Sequence, residues 1–212
     1  MTTLYFVRHG QSIGNKNGRF LGYTDQDLSE LGYRQAEMTS HFFDDIHIDA
    51  VYSSDLIRAF HTVEPIAKLK HLNVIPDRNL REIYCGTWEN QPFDELKSSN
   101  SDYQKWLVDI GHAVCTEGES VAHLQQRIND EVNKIVRENK NKTVVIGTHA
   151  TPIRAMTCIW RNLDIGQMNS FGWVDNASVT KVNYDENGKG TIELYNYSEQ
   201  LGKLCTRLGA NV

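Results

Sequence analysis

The chain has 212 residues, hydrophobic residues at 40% of positions and a formal net charge of −5 at pH 7. This length and composition suit one soluble α/β domain over residues 1–212, and the acidic balance disfavours a general nucleic-acid binder, which needs a basic face. The N-terminal apolar run ends at Arg8 and is too short for a signal peptide or a membrane span. We therefore expect a cytoplasmic protein without nucleic-acid or membrane partners.

The cysteine and histidine patterns argue against a metal site. The four cysteines are scattered without C-x-x-C spacing, which is typical of reduced thiols in a cytoplasmic protein. None of the eight histidines lies in a ligand spacing such as H-E-x-x-H. We therefore expect neither a metal ion nor another cofactor.

The first half of the chain alternates predicted strands and helices. The run "TLYFV" predicts a buried strand, and the segment that starts at Ser29 predicts a helix with that serine as its N-cap. The stretch "DAVYSS" predicts a short strand, and "DLIRAFHTVEPIAKLK" predicts a helix that Pro65 kinks or breaks. The stretch "NVIPD" predicts another short strand.

The second half continues the alternation and ends in a hairpin. Residues 93–112 predict a helical segment, and "GESVAHLQQRINDEVNKIVREN" predicts a long amphipathic helix capped near Ser120. The run "TVVIGTH" predicts a second buried strand, and the helix "TPIRAMTCIW" follows it with Pro152 in its first turn. The stretches "SVTKVNY" and "TIELYNY" flank "DENGKG", which predicts a β-hairpin.

Strands separated by helices predict an α/β fold, a three-layer sandwich in which helices cover both faces of a mostly parallel sheet. In such sheets, ligands bind beyond the carboxyl ends of the strands. Arg8 and His9 end one predicted strand and His149 ends another, so they could face one cleft. Arg58 lies one turn into the helix after the second strand. Alone, each is more often a solvated or ion-paired residue, and only the combination indicates a site.

The stretch "LYFVRHGQSIGN" resembles the signature of the histidine phosphatase superfamily, also called the phosphoglycerate mutase-like family. Further segments match the family's pattern in chain order: "GYTDQDLSELGYRQA", "VYSSDLIRAFHT", "LREIYCGTWEN", "EGESVAHLQQRI" and "GTHATPIRA". The signature alone is a short motif, but chance does not explain all of these segments in sequence. The resemblance runs from residue 4 to about residue 155.

The resemblance implies that His9 is the nucleophile, which attacks phosphorus and forms a phosphohistidine. His9 must be neutral to attack, so its other ring nitrogen should donate to a backbone carbonyl or a similar acceptor. Arg8 and Arg58 would clamp the phosphoryl oxygens with their planar guanidinium groups. His149 would complete the phosphate pocket by hydrogen-bonding the transferring group. Gly10 would let the backbone turn closely around the pocket.

The resemblance also implies neutral donors and a general acid. Asn15 and the backbone near Gly22 would donate hydrogen bonds to the phosphate. Glu82 would protonate the leaving alkoxide and then, as a carboxylate, activate water. That role needs a raised pKa, so burial must outweigh the nearby arginines. Glu89 is the alternative acid, although we favour a supporting or surface role for it.

Hydrolysis is favoured over mutase chemistry. Family mutases carry an Arg-Arg pair in an insertion after the acid, whereas the only cations of residues 82–118 are Lys97 and Lys105. The sequence therefore predicts a metal-independent phosphatase that hydrolyses a small phosphomonoester through a phosphohistidine. The alternatives are a cofactor-dependent phosphoglycerate or sugar-phosphate mutase, and a phospholigand-binding module without turnover. Such a module would be expected to have lost a catalytic side chain, and all are present.

Two positions depart from the family pattern. Glycine usually follows the second histidine, where this chain has Ala150, and a methyl group there could narrow the pocket. The common "WEG" is "WEN" here, so the local turn could differ. Neither departure removes a catalytic side chain.

Residues 84–115 should form a small helical cap over the pocket. Most of the aromatic side chains in it should pack the cap, while one or two could contact the leaving group. They are Tyr84, Trp88, Phe93, Tyr103 and Trp106. Sugar phosphates, phosphoglycerates, nucleotide monophosphates and cobalamin-pathway phosphates all suit such a site, and phosphoproteins suit it less well. We expect a small phosphorylated metabolite as the partner, and a homodimer through a sheet edge or the hairpin is compatible with the sequence.

Overall fold

The computed structural model describes residues 1–207. The strands are β1 (Thr2–Arg8), β2 (Arg19–Phe20), β3 (Ala50–Ser53), β4 (Val74–Pro76), β5 (Gln91–Pro92), β6 (Thr143–Thr148), β7 (Val179–Tyr184) and β8 (Gly190–Tyr197). The α-helices are α1 (Ile13–Lys16), α2 (Glu30–His41), α3 (Ile57–Leu69), α4 (Phe93–Ser99), α5 (Ser101–Val108), α6 (Val121–Glu138) and α7 (Ala150–Trp160). Short 3-10 turns connect several of these elements.

Six of the strands form one sheet, in the order β4-β3-β6-β1-β7-β8. The four strands β4, β3, β6 and β1 are parallel, and the hairpin of β7 and β8 adds two antiparallel strands beside β1. The predicted mostly parallel sheet and the predicted C-terminal hairpin are therefore confirmed. Strands β2 and β5 form a separate two-stranded ribbon.

Helices cover both faces of the sheet, because alternate side chains of β1 enter two different hydrophobic clusters. Leu4 and Phe6 belong to a cluster that includes the buried face of α6, whereas Tyr5 and Val7 belong to one that includes the buried face of α3. Helix α2 packs beside α3, and α7 packs beside α6. The predicted three-layer α/β sandwich is confirmed.

The sequence predicted a kink or a break at Pro65, and because helix α3 runs through Pro65 to Leu69, the break is wrong. Proline removes one backbone hydrogen bond from a helix interior. Here the turns on both sides of it are held by buried side chains, since Val63, Ile66 and Ala67 are all at most 2% exposed. Packing against the sheet outweighs the local cost.

The segment between residues 84 and 119 carries α4 and α5 and closes on itself. The Glu119 N–H donates to the Tyr84 carbonyl over 2.7 Å, and the Tyr84 N–H donates to a Glu119 carboxylate oxygen over 3.2 Å. Both ends of the segment therefore meet at one neck. Three aromatic side chains inside it are at most 1% exposed and surround the Phe20 ring; they are Trp88, Tyr103 and Trp106.

The loop after β1 lies directly on the first turn of α2. A Cβ atom added to Gly10 would lie 2.7 Å from the Gly32 carbonyl oxygen. The Gly10 N–H donates to the Thr62 hydroxyl over 2.9 Å, so the loop is also tied to α3. Close approach between backbones, rather than a left-handed φ, is what requires glycine here.

We expect Gly10→Ala to lower the free energy of unfolding by about 1–3 kcal/mol, because the added methyl group must displace backbone. Urea denaturation followed by tryptophan fluorescence measures this loss. The control is Gly172→Ala, since a Cβ atom there would meet nothing within 4 Å. Equal stability of the two variants would show that the loop relaxes without cost.

Candidate active site

The predicted site residues meet at the carboxyl edge of the parallel strands. Arg8 is the last residue of β1 and lies opposite Thr148, the last residue of the neighbouring strand β6. The residues that follow, His9 and His149, therefore lie side by side, with ring centroids 5.1 Å apart. Sheet order is what brings the two histidines together, although 139 positions of sequence separate them.

A pocket of about 50 Å³ opens at this edge. Its lining residues are Arg8, His9, Asn15, Arg19, Phe20, Leu21, Gly22, Arg58, Glu82, Phe93, Ala150, Thr151 and Trp173. Every predicted catalytic or phosphate-binding residue is among them except His149, which lies behind the wall against His9. The alternative acid Glu89 does not line the pocket.

The His9 ring is oriented by a neighbouring carbonyl. Its Nδ1 lies 2.7 Å from the Gly10 carbonyl oxygen. A carbonyl only accepts, so Nδ1 carries the proton and Nε2 keeps its lone pair. Burial, followed by the charges of Arg58 and Arg8, lowers the pKa of His9 well below its ordinary value. The ring is therefore neutral and suited to nucleophilic attack through Nε2.

Arg8 and Arg58 bring two guanidinium groups into the pocket, and each is only 1% exposed. Backbone carbonyls hold both: Arg8 donates to Val174, and Arg58 donates to Gly22 and Thr24. Burial lowers the pKa of both groups to about 10, so both stay charged at neutral pH. Within residues 1–207 neither forms a salt bridge with a carboxylate, which leaves a positive site suited to an anion.

Glu82 faces the same pocket and is largely surrounded by protein. One of its carboxylate oxygens accepts from the Ile83 N–H over 2.8 Å, and the other lies 3.4 Å from the Thr151 nitrogen. Loss of hydration raises the pKa of Glu82, and these hydrogen bonds and the Arg58 charge only partly offset the effect. Burial thus outweighs the arginines, which is the condition that a general acid needs here.

His149 is fully buried, and one of its ring nitrogens lacks a hydrogen-bond partner within residues 1–207. Its Nε2 lies 2.8 Å from the Ser54 hydroxyl, whereas Nδ1 has no partner within the described residues. Burial, then Arg58 and His9, lower the pKa of His149 well below its ordinary value. A buried nitrogen without a protein partner is costly, and because His149 does not line the pocket, its contact with the phosphate stays a prediction.

The neutral groups of the site are fixed by their neighbours. The Asn15 amide oxygen accepts from the Ser12 N–H and from the Asn176 amide, both over 3.2 Å, so its NH₂ group remains for other acceptors. Gly22 has φ of +50°, and a Cβ atom there would lie 2.4 Å from both Cys85 and Glu89. Glycine is therefore required where the pocket wall turns.

Glu89 supports this turn rather than facing the pocket. Its carboxylate accepts from the backbone N–H groups of Tyr23, Thr24 and Cys85 over 2.7–3.2 Å. The following Asn90, where the family usually has glycine, adopts φ of +58°. Asparagine tolerates this left-handed conformation, so "WEN" keeps a turn that glycine would also form.

Several lining residues were not predicted from the sequence, and Trp173 is the largest of them. Its ring centroid lies 4.1 Å from the buried Arg154 guanidinium and 6.5 Å from the nearly parallel Trp106 ring. Arg154 also donates to the Met168 and Phe171 carbonyls, which fixes this wall. Trp173 lies in an irregular stretch between α7 and β7, where no periodicity marks it.

The part of the chain that the structure describes, residues 1–207, holds no cluster of three His, Cys, Asp or Glu side chains placed to bind a metal ion. No helix in that part has the length and apolar character needed to cross a membrane. The site brings together a neutral histidine, two buried arginines and a carboxyl group with a raised pKa. Such a set of groups is suited to phosphoryl transfer.

The chain belongs to the histidine phosphatase superfamily (branch 1), whose sequence model matches residues 4–198. It is 33% identical to phosphoserine phosphatase 1 of Hydrogenobacter thermophilus, over 92% of each chain. It is also 28% identical to the probable phosphoglycerate mutase GpmB of Yersinia pestis, over 88% of this chain and 86% of that protein.

A solved structure of phosphoserine phosphatase from Entamoeba histolytica, in complex with 3-phosphoglyceric acid, matches with a TM-score of 0.82. The identity is 27%, and the match covers 95% of this chain and all of that chain. The predicted family and fold class are confirmed. The chain is a phosphatase that hydrolyses a phosphomonoester, as the sequence predicted.

Proposed function

We propose that this phosphatase hydrolyses a small phosphorylated metabolite through a phosphohistidine at His9, without a metal ion. The observation that carries this proposal is the neutral His9 ring, held through Nδ1 by the Gly10 carbonyl and flanked by two buried arginines. Such a ring presents a lone pair at Nε2, and the arginines supply the charge that phosphate needs.

The first half-reaction transfers the phosphoryl group to the enzyme. Arg8 and Arg58 bind the phosphoryl oxygens, and the amide of Asn15 and Nδ1 of His149 supply further contacts. His9 Nε2 attacks phosphorus, the bond between phosphorus and the ester oxygen breaks, and Glu82 gives its proton to that oxygen. The products are the free alcohol, a phosphohistidine and a Glu82 carboxylate.

The second half-reaction returns the enzyme to its starting state. The Glu82 carboxylate takes a proton from water, and the resulting oxygen attacks phosphorus. The bond between phosphorus and His9 Nε2 breaks, inorganic phosphate leaves, and His9 is again neutral. Glu82 is again protonated, so the same carboxyl group serves as acid and then as base.

We expect kcat/KM to be highest at mildly acidic pH. The first step needs protonated Glu82 and neutral His9; burial raises the pKa of Glu82 and lowers that of His9. Activity should therefore fall as pH rises through the raised Glu82 pKa, and fall again when pH drops low enough to protonate His9.

A pH profile of kcat/KM, corrected for ionisation of the substrate phosphate, measures these two limbs. Glu82→Gln should remove the alkaline limb and keep the acidic one. Wild-type activity that keeps rising above pH 8 would contradict the assigned roles.

Hydrolysis is favoured over mutase chemistry by the position of the cap cations. Lys97 and Lys105 are both exposed, and neither lines the pocket. A mutase must hold a phosphorylated acid in two orientations, so it needs more cations near the phosphate than Arg19, which among the described residues is the one arginine lining the pocket besides Arg8 and Arg58. The resemblance to a probable phosphoglycerate mutase keeps this activity worth measuring.

We further propose that residues 84–115 act as the cap of a single domain. Phe93 lines the pocket, and Trp106 packs against the pocket residue Trp173, which supports this role. The four cysteines are free thiols, which supports the proposed cytoplasmic location. A homodimer stays a prediction, which light scattering after size-exclusion chromatography tests.

The decisive experiment measures phosphate release from a panel of phosphomonoesters in the presence of a chelator. The panel includes phosphoserine, because the relative from Hydrogenobacter thermophilus is named a phosphoserine phosphatase. It also includes 3-phosphoglycerate, with and without 2,3-bisphosphoglycerate. Release in chelator supports the proposal, isomerisation without release would identify a mutase, and binding without turnover would identify a binding module.

A further inference from the structure

The pocket has a deep end and a mouth of different character. The deep end holds Arg8, His9 and Arg58, each at most 5% exposed. We call the rest of the lining, apart from the other predicted site residues, the mouth, and it includes apolar side chains from three distant parts of the chain, Phe20, Phe93 and Trp173. A leaving group bonded to a phosphate in the deep end must extend towards these side chains.

One charged side chain lies among the lining residues outside the deep end. Arg19, on β2 next to Phe20, is partly exposed and lines the pocket. Its Nη1 donates to the Asn90 carbonyl over 2.6 Å, which holds the guanidinium group in place. This bond uses one of the five N–H groups of an arginine side chain.

Arg19 has no carboxylate partner within residues 1–207, where the salt bridges of arginine involve Arg81, Arg127 and Arg207. The pocket lining contains one carboxyl group, Glu82, and that group serves the deep end. The mouth is therefore apolar with a single fixed cation. A guanidinium fork of this kind binds a carboxylate with two parallel hydrogen bonds.

We propose that Arg19 binds a carboxylate carried by the leaving group, so that the enzyme prefers small phosphomonoesters with a carboxylate near the ester oxygen. This inference rests on the proposed function, because it places the phosphate at His9. The planar, partly exposed guanidinium of Arg19 beside apolar walls suits a single carboxylate on the leaving group. Arg19 acts on binding and specificity, while His9 and Glu82 carry out the chemistry.

The test compares two substrates that differ only in the carboxylate, phosphoserine and phosphoethanolamine. Wild type should prefer phosphoserine in kcat/KM, and Arg19→Gln should reduce that preference roughly 10- to 100-fold, mainly through KM for phosphoserine. Arg19→Lys keeps the charge but loses the fork, so it should restore part of the preference. Lys16→Gln removes the same charge from an exposed position nearby and should keep the wild-type preference.

Equal losses for both substrates in Arg19→Gln would overturn the proposal, since they would mean that Arg19 only supports the wall through Asn90. Equal use of both substrates by wild type would also overturn it. Calorimetric binding of the two phosphomonoesters to His9→Ala, with and without Arg19→Gln, gives the same comparison without turnover. A carboxylate preference in binding with no phosphate release by wild type would keep this inference and reject the proposed function.

Discussion

His9→Ala is expected to lower kcat for every phosphomonoester by about 10³-fold or more, because no other group in the pocket replaces the nucleophile. Phosphate release measures the loss. When the enzyme is quenched during turnover of a ³²P-labelled phosphomonoester, an acid-labile ³²P-phosphoryl group should be found on the wild-type protein and not on the variant. The fold should survive, since within residues 1–207 the His9 ring forms a hydrogen bond only to the adjacent Gly10.

The matched control is His47→Ala. His47 is largely exposed and precedes β3, so it lies at the opposite edge of the sheet from the pocket. This variant should keep wild-type turnover and labelling. Turnover of His9→Ala near the wild-type rate would exclude a phosphohistidine at that position.

Glu82→Gln is expected to lower kcat by about 10²- to 10⁴-fold for alkyl phosphates, whose leaving alkoxide needs a proton. The rate of the first step should fall much less for p-nitrophenyl phosphate, because p-nitrophenolate can leave without receiving a proton. With that substrate, dephosphorylation should become slow, so a burst of p-nitrophenolate and a trapped phosphohistidine are expected. Rapid-quench and stopped-flow measurements record both.

Glu89→Gln provides the comparison. The Glu89 carboxylate holds backbone N–H groups of Tyr23, Thr24 and Cys85, so its loss should lower the thermal midpoint and reduce turnover of both substrates alike. If kcat of Glu89→Gln fell in a way that depends on the leaving group, while kcat of Glu82→Gln did not fall, Glu89 and not Glu82 would be the general acid.

The buried strands were predictable because their sequences are continuous apolar runs. The stretches that became β1 and β6 were predicted to be strands, and a histidine directly follows each of them. Sequence alone did not establish that His9 and His149 meet, because strand order depends on how the helices pack. The sheet places β6 beside β1, and that pairing brings the two rings together.

The mouth of the pocket was not predictable for a related reason. Arg19 lies in a two-residue strand and Trp173 in an irregular stretch, so neither has a periodic pattern that indicates a face. The raised pKa of Glu82 likewise depends on burial among residues far along the chain. Pro65 shows the opposite case, in which a strong local preference gave way to packing of α3 against the sheet.

The neck at Tyr84 and Glu119 makes the intervening segment an exchangeable unit. Its two ends are hydrogen-bonded to each other, so a longer, shorter or unrelated insert can start and finish at the same points without moving the strands. The predicted phosphate-binding groups lie outside the insert, whereas Phe93 lies within it, and only Glu89 of the insert must be kept because it holds the Gly22 turn. Evolution can therefore change the substrate of such an enzyme by replacing part of one surface segment, while the chemical mechanism stays the same.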